Sequence, residues 1–134
     1  MDAIRLRAYS LIWWLILPLV LLRLWWRGRN EPGYRRHLAE RLSLYAPAPS
    51  SPLIWVHAVS VGETRAAEPL IRRLLSDYPS HRVLLTHMTA TGRETGKQLF
   101  SDESRVFQAY LPYDTLMMTR RFCMHFRPQL GVLM

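Results

Sequence analysis

The stretch Leu53-Ile-Trp-Val-His-Ala-Val-Ser-Val-Gly-Glu63 joins an almost unbroken apolar run to a serine, a glycine and a carboxylate. Ser51 and Pro52 precede the run and mark its beginning. A run rich in Val, Ile and Trp is typical of a parallel strand that is covered on both faces. Ligands of open α/β sheets bind at the carboxyl ends of such strands. The stretch therefore predicts a buried strand that delivers Glu63 to the ligand-binding edge of a sheet.

The turn after this strand has two interpretations. Ser60 and Glu63 have the spacing of a capping box, in which each side chain bonds to a free backbone amide at a helix start. Gly62 counts against a helix that begins there, because glycine in a helix costs roughly 0.8–1 kcal/mol relative to alanine, and Pro69 would fall inside it. A helix start near Thr64 or Glu68 would instead place Pro69 in the first turn. Gly62 would then allow a sharp bend or the close approach of a ligand.

The composition is that of a single domain with a core. The chain has 134 residues, of which 49% are hydrophobic. Its single cysteine, Cys123, excludes an internal disulfide, suits a reducing compartment and is predicted to be packed in the interior. The histidines form no pair at i, i+4 and have no cysteine at zinc-ligand spacing, and no GxGxxG or Walker sequence occurs. We therefore expect no metal and no cofactor.

Most of the positive charge flanks a long apolar segment. The net charge is +8, and residues 1–45 contribute +5 of it. The sequence from Ala8 to Leu22 is uncharged and continues past Arg23 to Trp26, which predicts an apolar helix over about residues 8–26. Because a spanning helix needs about 20 apolar residues, Arg23 would have to reach the headgroups. Tryptophans lie near both ends, and arginines flank the segment: Arg5, Arg7, Arg23, Arg27, Arg29, Arg35 and Arg36.

The heavier positive charge follows the apolar segment, which predicts a membrane anchor with the rest of the chain in the cytoplasm. A cleaved signal peptide is the main alternative, although bulky and basic residues 23–29 stand where a small-residue cleavage site would be expected. A helix that lies in the interface without crossing it is also compatible with the span. The body lacks zinc-finger spacing and RNP-like aromatic motifs. We therefore expect a membrane as partner and no nucleic acid.

The remaining sequence alternates between predicted strands and helices. Residues 46–52 form a Pro-rich linker between the anchor region, residues 1–45, and a domain over residues 53–134. Apolar runs predict strands over residues 53–59, 82–86, 106–110 and 129–134. Helical patterns fill the gaps between these strands. The second predicted helix covers residues 91–100. The third is capped by Asp114 and ends at Phe126, and its spacing places Met117, Met118 and Phe122 in the core. This alternation predicts an α/β fold, a Rossmann-like parallel sheet with flanking helices.

A second polar turn, Thr86-His-Met-Thr-Ala-Thr-Gly-Arg-Glu94, follows the second predicted strand. Thr89 and Thr91 suit contact with sugar hydroxyls or phosphate, and they suit helix capping equally well. His57 lies inside the first strand, where a hydrogen-bonded interior histidine is the favoured interpretation over a catalyst.

Four segments in this order resemble the N-terminal half of the bacterial 3-deoxy-D-manno-octulosonic acid (Kdo) transferases: Trp55–Glu63, Thr86–Gly92, Tyr110–Asp114 and Arg127–Met134. The resemblance also covers the N-terminal apolar segment. It implies a GT-B glycosyltransferase on the cytoplasmic face of the inner membrane, which acts in lipopolysaccharide biosynthesis. It further implies transfer of Kdo from CMP-Kdo to the lipid A precursor, lipid IVA, with inversion at the sugar carbon.

The resemblance places the general base at Glu63, the glutamate of the Ser-Val-Gly-Glu motif. The acceptor hydroxyl must lose a proton as it attacks, and a positioned carboxylate supplies roughly 10²–10⁴ of rate. Substrate contacts are expected at the neighbouring small and hydroxyl residues: Ser60, Gly62, Thr89, Thr91 and Gly92.

The family continues past residue 134 into an acidic motif and a second domain that binds the CMP-sugar. We therefore expect this chain to hold the acceptor-side part and to transfer no Kdo by itself. The alternative is a membrane-tethered, non-catalytic module that binds the acceptor lipid.

Overall fold

The computed structural model describes residues 3–29 and 36–134, with side chains from residue 6 onward. Arg35, one of the flanking arginines, and the side chain of Arg5 lie outside this description. The helices and strands of the described part are α1 Ala3–Arg27, α2 Leu38–Arg41, β1 Leu53–His57, α3 Val61–Asp77, β2 Arg82–His87, α4 Ala90–Leu99, β3 Val106–Tyr110, α5 Leu116–Phe126 and β4 Leu130–Leu133.

The four strands form one parallel sheet in the order β3-β2-β1-β4. The chain moves outward from β1 through β2 to β3 and then returns to the other side of β1. The strand order therefore reverses between β1 and β4, and in α/β sheets ligands bind at the carboxyl side of this switch point. The predicted α/β fold with a parallel sheet is confirmed.

Alternate residues of the sheet pack into two cores. Ile54 and Val56 of β1 point toward α3 and α4, where they join Ala67 and Ile71 in one cluster. Leu53 points to the opposite face and belongs to the cluster that α5 covers with Phe122 and Phe126. Because β1 is buried on both faces, its sequence is apolar at nearly every position.

Helix α3 begins at the earlier of the two positions that the sequence left open. It starts at Val61, with Ser60 at the N-cap position and Pro69 inside the helix, so the alternative start near Thr64 or Glu68 is wrong. The first turn closes because the backbone N–H and the hydroxyl of Thr64 both donate to the Ser60 carbonyl, at 2.9 and 2.7 Å. Pro69 is exposed, so the missing backbone donor falls on the solvent side of the helix.

Helix α5 is capped one residue later than predicted. The Thr115 side chain accepts from the N–H of Met118 at 3.2 Å, whereas Asp114 is exposed and accepts from the Tyr9 hydroxyl at 3.1 Å. The core positions of α5 are Met118, Phe122 and Phe126.

Two residues that the sequence placed in the interior lie on the outer side of α5. Met117 is exposed, and so is the free thiol of Cys123. The core positions of this helix recur every four residues, and neither side chain falls on them.

Helix α1 packs one side on the body of the molecule. Leu17 is buried with Tyr113 and Met118, and more residues of the same helix side pack around them. By length and composition, Leu6–Arg27 can cross a membrane, and it is the one such helix in the described ranges. Residues 46–52 contain no helix or strand and carry the chain from α2 to β1.

Candidate active site

Glu63 lies on the first turn of α3, directly after the central strand. Its Oε2 accepts the backbone N–H of Val59, the residue that leads out of the strand. Ser60 occupies the N-cap position with extended backbone, but its side chain makes no capping hydrogen bond. In a capping box the Glu63 side chain would accept from the N–H of Ser60, the N-cap residue. Here it accepts from Val59, one residue earlier, and the serine hydrogen bond of the motif is missing. The Ser60 hydroxyl is not committed to holding the helix.

The two predicted turns meet at Val59. The carbonyl of Val59 accepts from Thr89 Oγ1 at 3.1 Å, while its N–H is bound by Glu63. Thr89 Oγ1 also accepts from the N–H of Gly92 at 3.1 Å, so Thr89 is the N-cap of α4. The capping interpretation of Thr89 is therefore confirmed. Thr91 is exposed in the first turn of α4 and does not fill the cap position.

The two glycines of the predicted site differ in their surroundings. A Cβ on Gly92 would lie 2.9 Å from Thr89 Oγ1 and 3.3 Å from both the Ser60 carbonyl carbon and the Val59 oxygen. Glycine at position 92 thus lets the start of α4 approach the first turn closely. A Cβ on Gly62 would meet no atom within 4 Å, and Gly62 has no left-handed backbone conformation. No bend in the backbone requires glycine at position 62.

His57 closes β1 on the same edge of the sheet and is half-buried. Thr86 Oγ1 accepts from Trp55 Nε1 at 2.8 Å and lies within hydrogen-bond distance of His57 Nδ1, also at 2.8 Å. Burial lowers the pKa of His57, while the nearby Glu63 carboxylate acts in the raising direction. The ring is therefore a neutral imidazole at neutral pH.

A buried histidine that the sequence did not single out contacts the backbone that leads into the Glu63 turn. His87 is fully buried; its Nδ1 lies 3.1 Å from the Ala58 carbonyl, which can only accept, so Nδ1 carries the proton. Nε2 then accepts from the side-chain amide nitrogen of Gln108 at 2.7 Å, and the amide oxygen of Gln108 accepts from the N–H of Lys97 at 3.0 Å. Burial lowers the pKa of His87 to about 4. His87 is a neutral positioning residue for the backbone that enters the site.

Two charged residues of α2, Glu40 and Arg41, also belong to the site and were not predicted from the sequence. The Glu40 carboxylate accepts from Arg93 and from the N–H of Tyr110, the latter at 2.8 Å. Arg41 is 2% exposed, donates to the Met88 carbonyl at 2.9 Å and places its guanidinium 4.0 Å from the centre of the Tyr110 ring. These contacts tie α2 to the carboxyl ends of β2 and β3. No short motif signals them, because the partners are 47 to 70 residues apart.

Within the described ranges, 3–29 and 36–134, no group of three His, Cys, Asp or Glu side chains is placed to hold a metal ion. The chemistry that the site offers is that of one oriented carboxylate. Glu63 is fixed through one oxygen by Val59, which leaves the other oxygen able to accept a proton from a ligand hydroxyl.

The fold and the site define a Rossmann-like α/β protein with a carboxylate at the switch point of its sheet, an arrangement suited to proton abstraction from a bound ligand. Residues 36–134 match the family described as 3-Deoxy-D-manno-octulosonic-acid transferase (kdotransferase). The chain belongs to this Kdo transferase family, as the four segments of the sequence predicted.

The relatives are much longer than this chain. The 3-deoxy-D-manno-octulosonic acid transferase of Bordetella pertussis is 44% identical over 126 residues, which cover 89% of this chain and 29% of that protein. The transferase of Haemophilus influenzae is 40% identical over 119 residues, or 87% of this chain and 27% of that protein. A probable mitochondrial 3-deoxy-D-manno-octulosonic acid transferase of Arabidopsis thaliana is 30% identical over 129 residues, which cover 96% of this chain and 28% of that protein. No solved structure matches the chain.

Proposed function

We propose that the chain is the acceptor-side part of an inverting GT-B glycosyltransferase that moves Kdo from CMP-Kdo to lipid IVA. Membership of the Kdo transferase family supports the reaction. The structural observation that carries the proposal is the position of Glu63, whose carboxylate is held at the carboxyl end of the central strand by the Val59 amide. Binding of the CMP-sugar is assigned to the part of the longer relatives that this chain does not match.

Glu63 acts as the general base in this proposal. The free oxygen of its carboxylate takes the proton from a sugar hydroxyl of the acceptor, and the hydroxyl oxygen forms the new bond to the anomeric carbon of Kdo. The bond from that carbon to the CMP phosphate breaks, and CMP leaves with the electron pair. Attack from the face opposite CMP inverts the configuration. The hydrogen bond from Val59 supports this role because it fixes the carboxylate in one orientation before substrate binds.

The residues around Glu63 divide into two groups. Ser60 has a hydroxyl that does not cap, Gly62 borders open space, and Thr91 is exposed; these three are proposed to contact the acceptor. Thr89 and Gly92 support substrate binding indirectly, because their contacts hold the two turns together at Val59.

The proposed location is the cytoplasmic face of the inner membrane. An apolar α1 supports attachment to a membrane, and the excess of arginines after it supports a cytoplasmic body. The acceptor is a phosphorylated glycolipid of the same membrane, so attachment keeps the site at the surface where its substrate lies.

A chimera tests the reaction. This chain would replace the matching 126 residues of the Bordetella pertussis relative, and transfer of Kdo from CMP-Kdo to lipid IVA would be measured. Glu63→Gln keeps the shape of the side chain and removes the base, so we expect kcat to fall by about 10²–10⁴ with unchanged acceptor binding. Glu68→Gln, one turn further along α3, is the matched control and should keep normal turnover.

Normal turnover by the Glu63→Gln chimera would remove Glu63 as the base. An inactive wild-type chimera that still binds lipid IVA would support the non-catalytic lipid-binding module instead.

A further inference from the structure

Helix α1 contacts the body of the molecule along most of its length. The Tyr9 hydroxyl donates to Asp114 at 3.1 Å, and Ser10 Oγ accepts from the N–H of Leu116 at 3.3 Å. Further along, the Trp13 ring stacks on Tyr113 with 5.8 Å between centroids. The same side of the helix continues through these apolar residues: Leu17, Val20, Leu21 and Leu24. From Tyr9 to Leu24 the helix rises about 22 Å, all of it alongside the body.

This packing conflicts with a helix that crosses the bilayer. The hydrocarbon core is about 30 Å thick, so a spanning α1 that kept its contacts would carry α5 into the hydrocarbon. The exposed side of α5 holds Arg120 and Arg121, and charged side chains in hydrocarbon are strongly disfavoured. A spanning α1 that released its contacts would instead uncover Tyr113 and Met118, which are buried against it.

A helix in the membrane interface avoids both costs, and the outer side of α1 is suited to it. Opposite the packed side runs an exposed apolar stripe: Leu11, Leu15, Leu19, Leu22 and Trp26. These positions recur every three or four residues, so they share one helix side. Arg23 and Arg27 border the stripe, where a guanidinium can stay with the headgroups while the stripe enters the acyl region.

Helix α5 extends this surface. Its outer side exposes Leu116, Met117 and Met124, and a groove of about 750 Å³ separates these residues from Leu11 and Trp14 of α1. Three arginines line the same groove: Arg7, Arg120 and Arg121. None of the three forms an ion pair with a carboxylate in the part of the chain that the structure describes. Apolar walls with unpaired guanidinium groups match the acyl chains and phosphate of an anionic phospholipid.

We propose that the outer stripe of α1 and the outer side of α5 form one bilayer-docking face, on which α1 lies along the membrane without crossing it. The occupant of this face is the anionic phospholipid surface, with Arg120 and Arg121 on lipid phosphates and acyl chains in the groove. The inference rests on the membrane attachment proposed above and is independent of glycosyl transfer. It places α1 and α5 at one surface, so the body is held flat against the membrane.

Cysteine labelling tests the position of α1. Single-cysteine variants Tyr9→Cys and Arg29→Cys, each with Cys123→Ser, would be expressed with the full chain and treated with a membrane-impermeant maleimide in inverted inner-membrane vesicles. An in-plane helix leaves both ends on the outer, cytoplasmic side, so both variants should react without detergent to the same extent as an Arg73→Cys/Cys123→Ser reference, whose cysteine lies at an exposed position of α3 across the sheet. Labelling of the Tyr9→Cys variant only after detergent would show that α1 crosses the bilayer and would overturn the proposal.

Vesicle binding tests the arginines of α5. The chain, held in a fixed low concentration of short-chain detergent, would be titrated with phosphatidylcholine vesicles with or without phosphatidylglycerol. We expect Arg120→Gln/Arg121→Gln to weaken binding to the anionic vesicles by about ten- to thirtyfold and to leave binding to pure phosphatidylcholine unchanged. Arg65→Gln/Arg73→Gln removes the same charge from exposed positions on α3, across the sheet, and should bind like the wild type.

Two outcomes would contradict the contact of α5 with phospholipid. Equal losses from both arginine pairs would indicate a general charge effect. Arginine dependence seen only with lipid IVA in the vesicles would make the acceptor, not phospholipid, the occupant. Neither experiment contains CMP-Kdo, so failed Kdo transfer and failed docking are separate results.

Discussion

At the scale of single residues, Gly62 and Gly92 serve different purposes although both lie in the two turns of the site. A Cβ at position 92 would press on Thr89 and on backbone atoms of residues 59 and 60, whereas one at position 62 would face open space. We expect Gly92→Ala to destabilise the protein by about 1–3 kcal/mol. Gly62→Ala should keep or raise stability, by up to about 1 kcal/mol, because alanine is the better helix former.

Urea unfolding in detergent, followed by tryptophan fluorescence, would measure both variants, and the chimera assay would add activity. A stable Gly62→Ala chimera with a raised KM for lipid IVA would support the ligand interpretation of Gly62. Similar destabilisation by the two alanines would contradict the structural distinction.

His87 makes the stability of the fold depend on pH. Burial lowers its pKa to about 4 from an ordinary value of 6.5, so between these values the unfolded chain binds a proton that the folded chain does not. Stability is therefore full above about pH 6.5 and falls as the pH is lowered toward 4. The shift corresponds to a loss of about 3 kcal/mol over the whole window.

Urea midpoints measured from pH 7 to pH 4.5 would show this slope. His87→Gln should reduce it, because glutamine does not titrate; the part that remains is expected from His57, whose pKa burial also lowers. His81→Gln, at a half-buried histidine outside the network, is the matched control. A wild-type slope that survives in the His87→Gln variant would assign the pH dependence to other groups.

At the scale of secondary structure, the sequence predicted the strands well and the helix starts less well. The strands lie within two residues of their predicted bounds because a strand buried on both faces is an almost continuous apolar run. The start of α3 stayed open between Ser60 and a later position because Gly62 and Pro69 carry local penalties for a helix. Burial of Ala67, Ile71 and Leu75 along that helix outweighs those penalties, and no local rule weighs such packing.

The sequence predicted one part of the candidate site and not the other. Glu63 and the threonine turn could be placed together because parallel strands bring their carboxyl ends to one edge of the sheet. His87 was quoted only as a member of that turn, and its role depends on the Ala58 carbonyl and Gln108. Glu40 and Arg41 belong to a segment that the sequence assigned to the membrane-proximal region. Their contacts arise from packing between distant segments, which single-sequence patterns do not encode.

Pro69 gives a prediction at the same scale. Proline in a helix interior removes a backbone hydrogen bond and costs about 3 kcal/mol when it also clashes with the preceding turn. We expect Pro69→Ala to stabilise the protein by about 1–3 kcal/mol, since the Arg65 carbonyl regains its donor. Pro47→Ala, in the irregular segment before β1, should destabilise by about 0.4–1 kcal/mol because alanine makes the unfolded chain more flexible. Urea unfolding would measure the change in unfolding free energy for both variants. Changes of opposite sign would confirm that Pro69 lies inside helix α3, and a loss of stability from Pro69→Ala would contradict it.

At the scale of the whole molecule, the apolar helix α1 packs on the folded body. The sequence predicted an anchor region, a linker and an incomplete Rossmann-like domain over residues 53–134. In the structure, α1 shares a core cluster with Tyr113 and Met118, and α2 binds the ends of β2 and β3. A change in α1 can therefore affect the fold from one side of the helix and the proposed membrane binding from the other.

Two leucines of α1 separate these effects. Leu17 is 6% exposed and packs on the body, whereas Leu15 is 78% exposed on the outer stripe. We expect Leu17→Ala to destabilise the body by about 2–5 kcal/mol, since it leaves a cavity beside Tyr113. Leu15→Ala should leave the urea midpoint unchanged and weaken vesicle binding by about tenfold or more, since a leucine gains about 1.5–3 kcal/mol on leaving water. The two variants make the same chemical change one half-turn apart, so each is the control for the other in both assays. Equal effects of the two variants on unfolding would show that α1 does not pack on the body, and an unchanged vesicle affinity for Leu15→Ala would remove the outer stripe from the membrane.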